Sequence, residues 1–145
     1  MNDDMRPILL VEDNINDVLI TKRAWKKCNI RNPLHITGDG EEALDFLYKR
    51  SNHKDAPTPM LILLDLKMPK MDGLEVLQQI KTDERLRSIP VIMLTSSDRS
   101  KDIDEAYQKG ANSYIVKPVN FKQFIKSIMD VKHYWLNLCK IPGVS

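Results

Sequence analysis

The chain has 145 residues, enough for one domain with a single hydrophobic core and no need of staples. With 42% hydrophobic and 29% charged residues and a net charge of +2, it lacks the basic excess that would hold nucleic acid or an anionic membrane. No apolar run reaches the length of a membrane span, the acidic start Met1-Asn2-Asp3-Asp4 is no signal peptide, and Cys28 and Cys139 lack metal-ligand spacing, so free thiols in a reducing cytoplasm are expected.

Pro7-Ile8-Leu9-Leu10-Val11 reads as a strand buried on both faces, and it ends in the carboxylates Glu12 and Asp13. Asn14 suits the cap of a following helix, with Asp17 in its first turn. Ile15, Val18, Leu19 and Trp25 are expected on its inner face. Asn32-Pro33 breaks the chain before a short strand, Leu34-His35-Ile36-Thr37, in which His35 reads as an edge or surface histidine. Asp39 and Glu42 make a capping pattern for a second helix with Ala43, Leu44 and Leu47 inward. Arg50 to Pro59 reads as a long polar loop, expected to be mobile.

Leu61-Ile62-Leu63-Leu64 is the most apolar strand, and Asp65 follows it at once. A carboxylate there either caps the next turn or stands in the ligand crevice of an α/β sheet. Asp72-Gly73-Leu74-Glu75 starts a third helix, with Leu74, Leu77 and Ile80 inward. Pro90 to Leu94 is another buried strand, ending in the hydroxyls of Thr95, Ser96 and Ser97. The helix after it, about Ser100 to Lys109, has a thin apolar face and Gly110 at its end. Ser113 to Val116 is the last strand, followed by Lys117-Pro118, and Asn120 caps the final helix, lined by Phe121, Phe124, Ile125 and Ile128.

Strand and helix alternate five times, which predicts a (βα)5 doubly wound parallel sheet with helices on both faces. Neither a Gly-x-Gly-x-x-Gly nor a Gly-x-x-x-x-Gly-Lys-Ser/Thr motif is present, which disfavours dinucleotide binding and a phosphate-binding P-loop. In a parallel sheet all C-terminal strand ends share one edge, so Glu12, Asp13, Asp65, Thr95 and Lys117 converge. Clustered carboxylates repel unless one is protonated or a cation sits among them. The donors are all oxygen, which favours a hard cation such as Mg²⁺. A metal, a hydroxyl and an ammonium together are what phosphoryl transfer needs, and a carboxylate can be the nucleophile. Asp65, central among them, is the best candidate.

Val11-Glu12-Asp13-Asn14, Leu63-Leu64-Asp65-Leu66-Lys67-Met68-Pro69-Lys70-Met71-Asp72-Gly73, Leu94-Thr95-Ser96 and Val116-Lys117-Pro118 resemble, in order and spacing, the motifs of bacterial response-regulator receiver domains. The resemblance covers about residues 6–132 and implies the flavodoxin-like strand order 2-1-3-4-5. It implies that Asp65 accepts a phosphoryl group from a sensor histidine kinase or exchanges it with a histidine phosphotransfer protein. It further implies Mg²⁺ on Asp13, Asp65 and the Lys67 backbone carbonyl, with Glu12 acting through water. Thr95 and Lys117 would contact the phosphoryl group, and Lys117-Pro118 would be a cis peptide. Tyr114 matches the switch aromatic; its position alone favours an edge-strand aromatic. Glu12 departs from the Asp often found first in the acidic pair. Lys67 stands where a haloacid-dehalogenase phosphatase has a general acid, a part lysine cannot play, so that enzyme reading is disfavoured. The Lys67 ammonium either shields the acyl phosphate or points to solvent without effect.

Val131 to Cys139 continue the last helix beyond a receiver's usual end before Pro142-Gly143 stops it, which makes about residues 133–145 a C-terminal extension. Trp135, Leu136 and Leu138 are expected outside the domain's own core, as a contact surface; the alternative is a tail that folds back. The extension resembles stand-alone regulators paired with phytochrome-type kinases, which implies a homodimer through the last helices and strand. No output domain is expected after the receiver, so the expected output is through protein contacts in the cytoplasm.

Overall fold

The computed structural model describes residues 4–143. Five parallel strands form one sheet: β1 (Ile8–Val11), β2 (Leu34–Thr37), β3 (Leu61–Leu64), β4 (Val91–Thr95) and β5 (Ser113–Val116). Their order is β2-β1-β3-β4-β5, as the resemblance implied. The helices are α1 (Ile15–Lys27), α2 (Gly40–Tyr48), α3 (Gly73–Thr82), α4 (Ser100–Gln108) and α5 (Phe121–Val131), the last running into a π-helical segment, Lys132–Leu138. Among the described residues no helix is long and apolar enough to cross a membrane.

The central strands β1, β3 and β4 are buried throughout because alternate residues serve opposite faces. Leu9, Val11, Ile62, Leu64, Val91 and Met93 pack with α2, α3 and Ala106 of α4. Ile8, Leu10, Leu61, Leu63, Ile92 and Leu94 pack with Ala24, Trp25, Phe124, Ile128 and Val131 of α1 and α5. The expected caps are present. Asn14, Asp39, Asp72 and Asn120 each accept a backbone N–H from the first turn of their helix.

Two expectations differ. The buried stripe of α1 is Thr21, Ala24 and Trp25, continued by Cys28, which is the i, i+3, i+4, i+7 pattern of one helical face. Ile15 and Leu19 fall off that stripe and are exposed at 72% and 52%. The loop after α2 contains a 3₁₀ turn at Ser51–His53, and His53 packs on Phe46 with ring centroids 5.5 Å apart and pairs with Glu42. The second concerns the tail. Leu136 is buried in the core cluster of α1 and α5, not exposed, and Trp135 packs against it partly buried. The π turn explains this. The Cys139 N–H donates to the Tyr134 carbonyl at 2.7 Å, an i→i−5 bond. Such winding sets residues five apart nearly over one another, so Leu136 stays in line with Val131 where an α-helix would carry it outward. Beyond it, the Arg6 guanidinium donates to the carbonyls of Ile141 and Pro142 at 3.3 and 3.0 Å. Of the three expected contact residues, Leu138 alone is fully on the surface, 72% exposed.

Leu136→Ala is expected to cost about 2–4 kcal/mol in denaturant unfolding, as for a truncated core leucine. Leu138→Ala is expected to stay within about 0.5 kcal/mol of the parent. Equal effects would show that the tail does not dock as described.

Candidate functional site

The parallel register brings the C-terminal strand ends into one plane. Val11 pairs with Leu64, Leu64 with Met93, and Thr95 with Val116. The next residue of β1, β3 and β5 is therefore Glu12, Asp65 and Lys117 respectively, with Thr95 closing β4. The backbone keeps this order past the strands: the Asp65 N–H donates to the Val11 carbonyl at 3.1 Å, and the Lys117 N–H to the Thr95 carbonyl at 2.7 Å.

Glu12, Asp13 and Asp65 each offer a carboxylate oxygen within 4.8 Å of the others. Glu12 is buried at 2% exposure, Asp65 nearly so at 9%, and Asp13 is exposed. Three like charges this close favour a proton or a cation between them. Burial pushes the Glu12 carboxyl up to about 7, against the pull of the neighbouring Lys117. Asp65 Oδ1 accepts the N–H of Leu66 at 2.8 Å, which fixes the carboxylate at the strand end. The all-oxygen donor set suits a hard divalent cation.

Lys117 reaches across the sheet from β5 to β1. Its Nζ donates to Glu12 Oε1 and, at 3.1 Å, to Asp17 Oδ2. Burial opposes its charge, yet the Glu12 hydrogen bond and the Asp65 charge outweigh that and raise its pKa. Thr95 is buried, and its Oγ1 accepts the Ser97 N–H at 3.4 Å. Tyr114 is half-buried, and its hydroxyl donates to the Ser97 carbonyl at 2.9 Å. Burial raises its pKa. Lys67 is exposed on the loop after β3. The Lys117–Pro118 peptide, implied to be cis, is trans; no cis peptide occurs among the described residues. Trans is the favoured state of an X–Pro bond by about 0.5–1 kcal/mol, and in it Lys117 already reaches the carboxylates.

The structure thus brings together Glu12, Asp13, Asp65, Thr95 and Lys117. Two residues join them from outside that converging set. Asp17 lies one turn into α1, and Ser97 lies two residues past Thr95. The available signal for Asp17 was its place in the first turn after the acidic strand end, which points it back at the same edge.

A family model, the response regulator receiver domain, matches residues 8–129, and the chain belongs to that family. These are receivers of two-component systems, and phosphorylation-dependent signalling is their general function. The chain is 37% identical over 146 residues to response regulator Rcp1 of Synechocystis sp. (strain ATCC 27184 / PCC 6803 / Kazusa), covering 99% of each, and the Mn²⁺-bound structure of Rcp1 aligns with a TM-score of 0.88. The phosphorylated cyanobacterial phytochrome response regulator RcpA aligns with a TM-score of 0.91 at 35% identity, over 97% of this chain and all of that one. The probable methanogenesis regulatory protein FilR2 of Methanothrix harundinacea (strain 6Ac) is 40% identical over 136 residues, 94% of this chain and 87% of the relative.

The raised Glu12 pKa has a sign. Its ordinary value is 4.5, so between about 4.5 and 7 the folded metal-free protein holds a proton that the unfolded chain releases. That contribution to stability is lost as pH rises through about 7. A divalent cation competes for the same carboxylate. Millimolar MgCl₂ is therefore expected to raise the melting temperature more at pH 8 than at pH 5. Differential scanning fluorimetry at both pH values checks this; a gain equal at both would remove Glu12 from the cation site.

Proposed function

We propose that this chain is a single receiver domain in which Asp65 takes the phosphoryl group of a partner's phosphohistidine and the phosphorylated form signals through protein contacts. The observation that supports this best is the convergence of three carboxylates, a buried hydroxyl and an ammonium on four strand ends, with Asp65 at the middle strand. One Asp65 oxygen bonds to phosphorus as the phosphorus–nitrogen bond breaks, and the released imidazole takes a proton from solvent. Mg²⁺, held by Asp13, Asp65 and the Lys67 carbonyl with Glu12 acting through water, would neutralise charge on the phosphoryl oxygens. Thr95 donates its hydroxyl to one of these oxygens and Lys117 its ammonium to another. Tyr114 moves with Thr95, because its hydroxyl is bonded to the same loop at Ser97. The chemistry is limited to this phosphorylation and its reversal. Lys67 serves the site through its backbone, and its ammonium shields the acyl phosphate.

A phytochrome-type sensor kinase or a histidine phosphotransfer protein is the proposed donor. A groove of about 200 Å³ beside Lys117, lined by Asp17, Ile20, Arg23 and Phe121, offers it a seat. Exposed Ile20 and Val119 line that groove. A homodimer through α4, β5, α5 and the π-helical segment is the proposed assembly. Tyr107, Val116, Tyr134 and Leu138 are exposed there, and Tyr134 stacks edge-on to Trp135 at 5.1 Å. The proposed setting is the cytoplasm, without nucleic acid or membrane.

Acetyl phosphate with MgCl₂ is expected to phosphorylate the protein, and Asp65→Asn to abolish the modification. An unmodified parent, or a modified Asp65→Asn, would overturn the assignment. Light scattering across a hundredfold range of concentration is expected to show the mass rise from monomer to dimer; a constant monomer mass would end the dimer proposal.

A further inference from the structure

Lys117 is held by more than the acidic pair. An ammonium has three N–H donors. Two of them go to Glu12 and Asp17, on the α1 side of the site. Asp65 attracts the ammonium by its charge.

Asp17 is no wandering surface carboxylate. Its backbone N–H donates to Asn14 Oδ1 at 3.1 Å, and its carbonyl accepts the hydroxyl of buried Thr21 at 2.7 Å. The side chains of Lys117 and Asp17 are 11% and 35% exposed, so solvent screens the pair only in part. The backbone of Asp17 is thus fixed at the start of α1, and its carboxylate takes one of the ammonium's donors on that side.

We propose that Asp17 is a positioning residue that holds Lys117 back towards α1 and competes with the phosphoryl group on Asp65 for its ammonium, weakening the site's hold on that group. This rests on the reading of Asp65 as phosphoacceptor. The aspartyl phosphate at Asp65 carries about two negative charges where the carboxylate carried one. Lys117 must then divide its donors between that group and the carboxylates it already serves. A cation drawn to the acidic cluster loosens the claim of Glu12, and the claim of Asp17 remains. Each donor left on Asp17 is withheld from the phosphoryl oxygens, so the bound group is held more weakly.

The test uses the full chain with Mg²⁺ and beryllofluoride, a phosphoryl mimic, with affinity read by NMR, and acetyl phosphate to show that Asp65 takes up a phosphoryl group. Asp17→Asn is expected to bind beryllofluoride about three- to tenfold more tightly. Asp17→Ser is expected to act the same way, so the result does not depend on one variant folding. Asp17→Glu, which keeps the charge, is expected to stay near the parent. In a Lys117→Ala background Asp17→Asn is expected to change nothing, which a merely structural role of Asp17 would not produce. Unchanged or weaker binding in both Asp17→Asn and Asp17→Ser overturns the role of Asp17 alone, as does an equal gain in the Lys117→Ala background. A parent that takes up neither beryllofluoride nor a phosphoryl group overturns the Asp65 reading and this one together.

Discussion

A lysine on the last strand end reaches past two strands to a buried glutamate on the first. That contact between Lys117 and Glu12 spans 105 residues of sequence and closes the site from β5 to β1. Glu12 at 2% exposure would be a costly charge without a partner, and Lys117 would be too. Each makes the other tolerable, and together they leave Asp65 between them with its own charge unneutralised. The sheet pays for this arrangement elsewhere only in burying its apolar faces, which the strands do completely at β1, β3 and β4.

The loop after β3 is held to the same tolerance. The Gly73 N–H donates to the Leu66 carbonyl at 2.7 Å, so the start of α3 folds back on the residue beside Asp65. A Cβ at position 73 would sit 2.1 Å from the Asp65 carbonyl oxygen, closer than any side-chain atom can approach. Glycine there allows the helix to begin against the nucleophile's own backbone. The Asp65 side chain is therefore oriented by backbone contacts on both sides: the Val11 carbonyl accepts from its N–H, and the Leu66 N–H donates to its carboxylate.

Most of this was legible in the residues. Three apolar runs each ending in a polar group placed the strands and the edge, and Asn14, Asp39, Asp72 and Asn120 placed the helix starts. What the pattern left open had physical reasons. Ile15 and Leu19 are apolar but lie off the sheet-facing stripe of α1, and the three buried positions that define the stripe include a threonine and an alanine, which carry little hydrophobic signal. Leu136 could not be assigned from α-helical spacing, because a π turn resets the period just before it. Asp17 was visible as a first-turn acid, but its contact with Lys117 depends on how two distant loops meet. The trans Lys117–Pro118 peptide lies below what residue types fix, since either isomer is sterically open to proline.

The helix nearest the hydroxyl side of the site is the least buried. Ala106 is the only buried residue of α4, and Arg99 at its start gives no side-chain cap. Polar links hold its beginning instead: Ser97 donates its hydroxyl to Asp102 at 2.5 Å and accepts the Tyr114 hydroxyl on its carbonyl. Ser97 also donates its N–H to Thr95 Oγ1, so one residue ties the site hydroxyl, the half-buried tyrosine and the first turn of α4. Polar contacts of this kind are exchanged at little net cost, whereas a packed apolar face resists displacement. On the proposed reading, a phosphoryl group that recruits the Thr95 hydroxyl acts first on Ser97. From there the change has a short path to Tyr114 and α4, the face that carries exposed Tyr107 and Tyr134. The opposite side of the site, where Lys117 is gripped by Glu12 and Asp17, packs α1 and α5 on a continuous apolar core. The asymmetry makes one side of Asp65 a fixed anchor and the other a responsive surface.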